Sequence, residues 1–117
     1  MIFTPVAIEI KPGSFPNTIN LGSNGVVPTA ILGSTTFDVH DVNPTSTTLA
    51  NSSIRLKGNG QPQVTYSDVN NDGFTDITMN FLIDALDLAS SDTKADLDGF
   101  LFNGKEIKGS DSVRVVP

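Results

Sequence analysis

What most constrains this chain is its punctuation. Glycine, proline, asparagine, serine and threonine recur every few residues, and the stretches between them are short, alternating and rich in Val, Ile, Thr and Phe. A strand needs only roughly four to eight residues of alternating pattern, whereas an amphipathic helix needs about ten or more. No window here is long enough for a convincing helix, so the chain reads as all-β. Strands at this spacing predict a single antiparallel β-sandwich of the Ig-like kind with at most one short helical turn, rather than a βαβ sheet. The 117 residues suffice for one core, so residues 1–117 are expected to form a single module.

Val6 to Ile10 alternates with Val6, Ile8 and Ile10 on one face, then meets a breaker running from Lys11-Pro12-Gly13 through Pro16-Asn17, which reads as a structural loop. Thr18 to Leu21 is a brief extended piece, and Val26 to Gly33 is a strand whose Pro28 cannot donate to a ladder and so predicts an edge or a bulge. Phe37 to Val42 can make one helical turn before Asn43-Pro44 ends it. Ser46 to Leu49, Ser53 to Lys57, Gln63 to Ser67 and Asp76 to Ile83 follow as strands, with Ile77, Met79 and Phe81 sharing a face. Ile83 to Ala89 fits a helical turn as well as a strand. Lys94 to Phe102 and Lys105 to Lys108 flank Asn103-Gly104, which supplies the positive φ values of a type I′ hairpin turn. Gly109-Ser110-Asp111 then reads as a turn into the last strand, Ser112 to Val116.

Composition excludes several function classes. With no cysteine there is no thiol nucleophile, thiolate zinc site or disulfide. Seven basic against thirteen acidic residues, a net −6, argue against a phosphate-binding surface, so nucleic acid is not an expected partner. No apolar run approaches the ~20 residues that span a bilayer, and no membrane insertion is expected. The start Met1 to Pro5 lacks a basic, apolar leader, so export would require a signal removed upstream of this numbering.

One segment carries chemistry. Asp68-Val69-Asn70-Asn71-Asp72-Gly73-Phe74-Thr75-Asp76 places oxygen-bearing side chains at loop positions 1, 3, 5 and 9, with glycine at 6. Calcium takes six to eight hard oxygens at about 2.3–2.6 Å, so alternate residues of a tightly curled loop must point inward, and glycine permits the bend. Asp68, Asn70, Asp72 and Asp76 are the expected side-chain ligands, Phe74 would give its carbonyl, and Gly73 is the turn. Where an EF-hand has its bidentate glutamate this chain has Met79, and the flanks read as strands. The missing acid predicts weak binding, with a dissociation constant of ~10⁻⁴–10⁻³ M. Asp84, Asp87, Asp92 or Asp96 could complete the shell. The competing reading is an Asx-rich hairpin loop without a metal, although three closely spaced carboxylates repel one another when no cation is present.

The loop resembles the calcium loops of dockerin modules, thrombospondin type 3 repeats and integrin-type propeller blades, over nine residues. A longer pattern, Ile8-Glu9-Ile10-Lys11-Pro12-Gly13-Ser14-Phe15-Pro16-Asn17-Thr18-Ile19-Asn20, then Gly25 to Gly33, the Asp-rich loop and Gly109 to Val116, resembles a poorly characterised module of secreted and surface proteins of bacteria and archaea. That resemblance implies an extracellular, non-catalytic appended domain. It also implies one formal charge fewer than usual, since Asn70 stands where many relatives have aspartate.

Elsewhere the candidates are thinner. His40 is the one histidine, with no serine in a nucleophile-elbow setting, and reads as an exposed loop residue. Glu9 and Glu106 lie on strands beside lysines. Tyr66, Phe15, Phe74, Phe100 and Phe102 are the aromatics a sugar could stack on, but phenylalanines in so small a domain are expected in the core. Phe100 and Phe102 share a face opposite Leu101, so one face there can serve as a contact surface. Asn51-Ser52-Ser53 is a formal glycosylation sequon in plain loop. Together these predict no enzyme but a calcium-binding, secreted or cell-surface module for attachment or assembly, with a carbohydrate-binding module as the alternative. Its partners would be calcium and either polysaccharide or copies of itself, associating by the edge near Pro28 or by exchange of a terminal strand.

Overall fold

The computed structural model describes residues 3–13, 17–23 and 25–116. Its strands are β1 (Thr4–Pro5), β2 (Ile8–Ile10), β3 (Thr18–Asn20), β4 (Val26–Ile31), β5 (Val42–Leu49), β6 (Ser52–Ser53), β7 (Val64–Ser67), β8 (Asp76–Leu82), β9 (Lys94–Leu101), β10 (Glu106–Ser112) and β11 (Arg114–Val116). Two 3₁₀ turns, Val39–Asp41 and Ile83–Ala85, complete the regular structure, one more than the single helical turn expected. Among the described residues no helix is long and apolar enough to cross a membrane.

The all-β expectation is met, and the strands fall into three sheets. Five strands run in the order β1-β10-β9-β5-β6, four in the order β2-β4-β8-β7, and β11 pairs with β3 alone. Most pairings are antiparallel, but β1 with β10 and β11 with β3 are parallel. Parallel neighbours need a long crossover, and these two pairs join segments near opposite ends of the chain. One apolar cluster draws on all three sheets. Leu97, Ile107 and Val42 come from the five-stranded sheet, Ile77, Met79 and Phe81 from the four-stranded one, and Ile19 and Val115 from the pair. The period-2 alternation of β8 puts Ile77, Met79 and Phe81 wholly inside, as read from sequence.

Several expectations need correction. Pro28 is on neither an edge nor a bulge, because β4 lies between β2 and β8. The Pro28 carbonyl accepts from the Lys11 N–H at 2.7 Å, so this residue's backbone polar atoms face the β2 side, where the strand has ended at Ile10. A missing donor costs little there, and β4, paired on both sides, is not the edge strand expected for self-pairing. Gly109, Ser110 and Asp111 are not a turn but the second half of β10. Gly109 is small because the Val6 carbonyl oxygen would lie 2.6 Å from any Cβ. Asp111 is a clamp. Its Oδ2 accepts from the Ile10 N–H at 2.9 Å and from buried Asn17 Nδ2 at 3.1 Å, while the same Asn17 amide donates to the Ser112 carbonyl at 2.9 Å. These bonds tie the end of β2 and the start of β3 to the last strands.

The phenylalanines are the other correction. Phe81 is buried, but Phe74 is half-buried, and Phe100 and Phe102 are 47% and 68% exposed. Branched aliphatic residues already fill the cluster, and Phe100 alternates outward from β9. Phe15, with Ser14 and Pro16 of the breaker, lies outside the described residues. Earlier in that breaker Lys11 has φ +53° and its Nζ donates to the Thr18 carbonyl at 2.9 Å.

Candidate metal centre

Strands β7 and β8 are antiparallel neighbours with Ser67 opposite Asp76, so the Asp-rich segment is the connection of a hairpin. The loop curls because its carboxylates capture its own amides. Asp68 Oδ2 accepts from the Gly73 N–H at 2.9 Å and Oδ1 from the Asp72 N–H at 3.3 Å, and Asp72 Oδ1 accepts from the Phe74 N–H at 3.0 Å. Asn71 at φ +61° and Gly73 at φ +89° make the reversals. Asparagine and glycine are the residues that enter this region at least cost.

Asp76 anchors the curl. It opens β8 with 0% exposure, its Oδ2 accepting from the Val69 N–H at 2.9 Å and its Oδ1 from the Gly33 N–H at 2.8 Å, across 43 residues. Gly33 is required at that contact, since an added Cβ would collide with the Thr75 carbonyl oxygen. One carboxylate oxygen from each of Asp68, Asp72 and Asp76 then lies within 4.8 Å of the other two. Among the described residues no lysine, arginine or histidine pairs with Asp76; the ion pairs are His40 with Asp38 and Lys108 with Asp98 and Glu106. The Gly73 N–H holds the Asp68 carboxyl below the ordinary carboxylate value against partial desolvation, with smaller help from the neighbouring loop amides. Such a group accepts hydrogen bonds and ligates cations rather than donating protons.

Of the residues singled out from sequence, Asp68, Asp72 and Asp76 are brought together. Asn70 is exposed, and its side chain makes no hydrogen bond among the described residues. Phe74 is held through its N–H, and Gly73 occupies the turn conformation expected of it. Met79 is wholly buried among the apolar residues, so position 12 has no ligand to give. None of Asp84, Asp87, Asp92 and Asp96 joins the carboxylate cluster: Asp84 sits in the second 3₁₀ turn, and the other three line a separate cavity.

One neighbour of the loop was not foreseen. The Asp38 side chain caps the first 3₁₀ turn, accepting at Oδ1 from the His40 N–H at 2.9 Å and meeting the ring Nδ1 at 2.8 Å. These contacts, the backbone one foremost, lower the Asp38 carboxyl's pKa. The exposed His40 ring stacks on Tyr66, with centroids 4.8 Å apart and planes 7° from parallel. Asp-x-His is a local capping signal visible in sequence, but nothing in a single chain pairs His40 with a tyrosine on β7. The segment from Gly33 to His40 is thus fixed to the hairpin at both ends, by Asp76 and by Tyr66. Asn51, of the formal sequon, sits in the β5–β6 turn at φ +66° and donates to Asp87 Oδ2 at 3.1 Å.

The chain matches no protein-family model, no curated protein and no solved structure.

Proposed function

We propose that this chain is a calcium-stabilised, non-catalytic module of the extracellular space, serving attachment or assembly. The observation that carries this reading is Asp76: a wholly buried carboxylate, packed within 4.8 Å of two others, with no basic partner among the described residues. The Gly33 and Val69 N–H groups satisfy its oxygens as hydrogen-bond acceptors but bring no positive charge; a buried carboxylate without a cation is costly, and a cation shared by the three carboxylates offsets that cost and their mutual repulsion. The donor set, carboxylates with an amide oxygen and a backbone carbonyl, is hard and all-oxygen, which suits calcium rather than zinc or copper. Asp68, Asn70, Asp72, Phe74 through its carbonyl, and Asp76 would hold the ion, and water would fill the place left by Met79.

The two larger sheets sharing one apolar cluster support an Ig-like sandwich, with the β3–β11 pair adding Ile19 and Val115 to the same cluster. A non-catalytic role rests on the resemblance to appended, non-catalytic modules. Export rests on the resemblance to secreted modules. With β4 enclosed, self-assembly would run through a terminal strand such as β11.

Thermal melts in chelator and in calcium test this reading. At a calcium concentration about ten times a millimolar-range dissociation constant, linkage adds about 1.4 kcal/mol, a rise of roughly 5 °C for a chain of this size. The rise should vanish in the Asp68→Ala, Asp72→Ala double variant, whose changes are both exposed. An equal rise in the variant, or none in the parent, would overturn the assignment.

A further inference from the structure

The outer face of the five-stranded sheet carries a second constellation, remote in sequence from the Asp-rich loop. On β10 and β9, Lys108 lies directly opposite Asp98, and Ser110 opposite Asp96, so all four project from one face. Lys108 Nζ sits 2.6 Å from Asp98 Oδ1, 3.4 Å from Glu106 Oε2 and 5.9 Å from the centroid of the Phe3 ring, which is 46% exposed. Asp96 and Ser110 make no side-chain hydrogen bond among the described residues. A cavity of about 480 Å³ spans this ground from Phe3 and Pro5 to Asp96 and Ser110. A second, of about 290 Å³, shares Asp96 and Asp98 with it and continues to Asn51 and Asp87 at the β5–β6 turn. The two adjoin at Asp96 and Asp98 and together run as a trough across four neighbouring strands, from Pro5 of β1 over β10 and β9 to the end of β5. Three strand spacings of about 4.8 Å give it a floor of roughly 14 Å, the length of two or three hexose rings.

We propose that this trough binds an oligosaccharide free of acidic groups, a neutral or amino-bearing glycan. A hexose ring offers an apolar C–H face and a rim of hydroxyls, each both donor and acceptor. Phe3 at the mouth supplies a flat apolar surface for the first. The alternation of ammonium, carboxylate and hydroxyl along Lys108, Asp98, Asp96 and Ser110 supplies both halves of the hydrogen bonds for the second. Charge decides which glycans fit. Asp87, Asp92, Asp96, Asp98 and Glu106 outnumber Lys94 and Lys108 along the trough, so uronates, sulfated chains and nucleic acids are repelled, and amino groups are attracted. The inference rests on the extracellular reading above but not on the metal, since none of these side chains belongs to the carboxylate cluster.

The test is isothermal titration with glucosamine, cello- and xylo-oligosaccharides of five units, each in calcium and in chelator. Oligogalacturonate and a short oligolysine serve as the acidic and peptide probes. At least one non-acidic oligosaccharide should bind, with affinity reduced tenfold or more in both Phe3→Ala and Asp96→Ala, whose melting temperatures should match the parent because both sites are exposed. Binding of none of the three, binding of oligogalacturonate with equal strength, binding of oligolysine alone, or affinity unmoved by both variants would each overturn the proposal. Because each sugar is titrated both in calcium and in chelator, and calcium binding is read by its own separate titration, loss of the metal reading and loss of the trough reading are separable.

Discussion

At the scale of single residues, the chain places some polar groups where water cannot reach them, and each has a physical account or a cost. Thr29 is the plainest cost. It is wholly buried on β4 between Ile10 and Met79 on the flanking strands, and its hydroxyl has no partner. Burying an unpaired hydroxyl costs on the order of 1–3 kcal/mol, whereas a methyl of the same shape costs nothing of the kind. Thr29→Val should therefore stabilise the protein by about 1 kcal/mol, read as a higher urea midpoint with unchanged slope; a lower midpoint would mean that the hydroxyl is bonded. Asp68 is the converse case, a carboxylate satisfied by backbone amides. Its folded pKa is depressed below the ordinary value of 3.8, so its contribution is present above that value and lost as pH falls through the folded one. In chelator, the melting-temperature gap between the parent and Asp68→Ala should be constant from neutral pH down to about 4 and close below it. A gap that widens on acidification would reverse the sign. Residues of this kind were half legible. The spacing of Asp68, Asn70, Asp72 and Asp76 is a local pattern that announces itself, while the orphaned hydroxyl of Thr29 depends on what faces it across two strands.

Elements tell the same story at longer range. Alternation places β8, β9 and the hairpin at Asn103-Gly104 within a residue or two of where they fall, because a strand's two faces are written in its own sequence; the turn itself is not the type I′ expected, since Gly104 alone of the pair has a positive φ, +89°, and its N–H donates to the Leu101 carbonyl. What alternation cannot write is which strand lies beside which. Pro28 was misread as an edge because its missing donor is visible in sequence, whereas the ending of β2 opposite it is not. Gly109-Ser110-Asp111 was misread as a turn because its composition suits one, while its actual duties, clearance for Val6 and a carboxylate for Ile10 and Asn17, lie about a hundred residues away in the chain. Separations of tens of residues likewise hid the partnership of Gly33 with Asp76 and the stacking of His40 on Tyr66. Gly33 offers the sharpest test at this scale. In Gly33→Ala the new Cβ meets the Thr75 carbonyl, and relief requires the segment to move away from the buried Asp76 carboxylate that its N–H satisfies. A cost of about 2–3 kcal/mol in urea unfolding is expected, from the clash and the loosened charge-assisted bond together. Calcium heat should weaken in the same variant. Unchanged stability would mean that the Gly33–Asp76 bond holds nothing in place.

For the molecule as a whole, three sheets wrap one apolar cluster, and the Asp-rich hairpin is joined to that cluster through Asp76. On this account the metal acts by fixing the β7–β8 connection and the segment from Gly33 to His40, while ligand contact lies elsewhere, on the outer face of the five-stranded sheet. All-β character and the place of the carboxylate cluster were legible because each is a property of contiguous sequence. The three-sheet arrangement and the trough were not, since both arise from strands that meet only after folding. The central claim is that the Asp68–Asp76 loop holds calcium. Its most direct test is a calcium titration of chelator-stripped protein by calorimetry, with magnesium as the competing ion. The account predicts one ion per chain, a dissociation constant of ~10⁻⁴–10⁻³ M, little response to magnesium, and no heat in the Asp68→Ala, Asp72→Ala double variant. Absence of heat in the parent up to ~10 mM calcium, well above that range, or heat that persists in the variant, would contradict it.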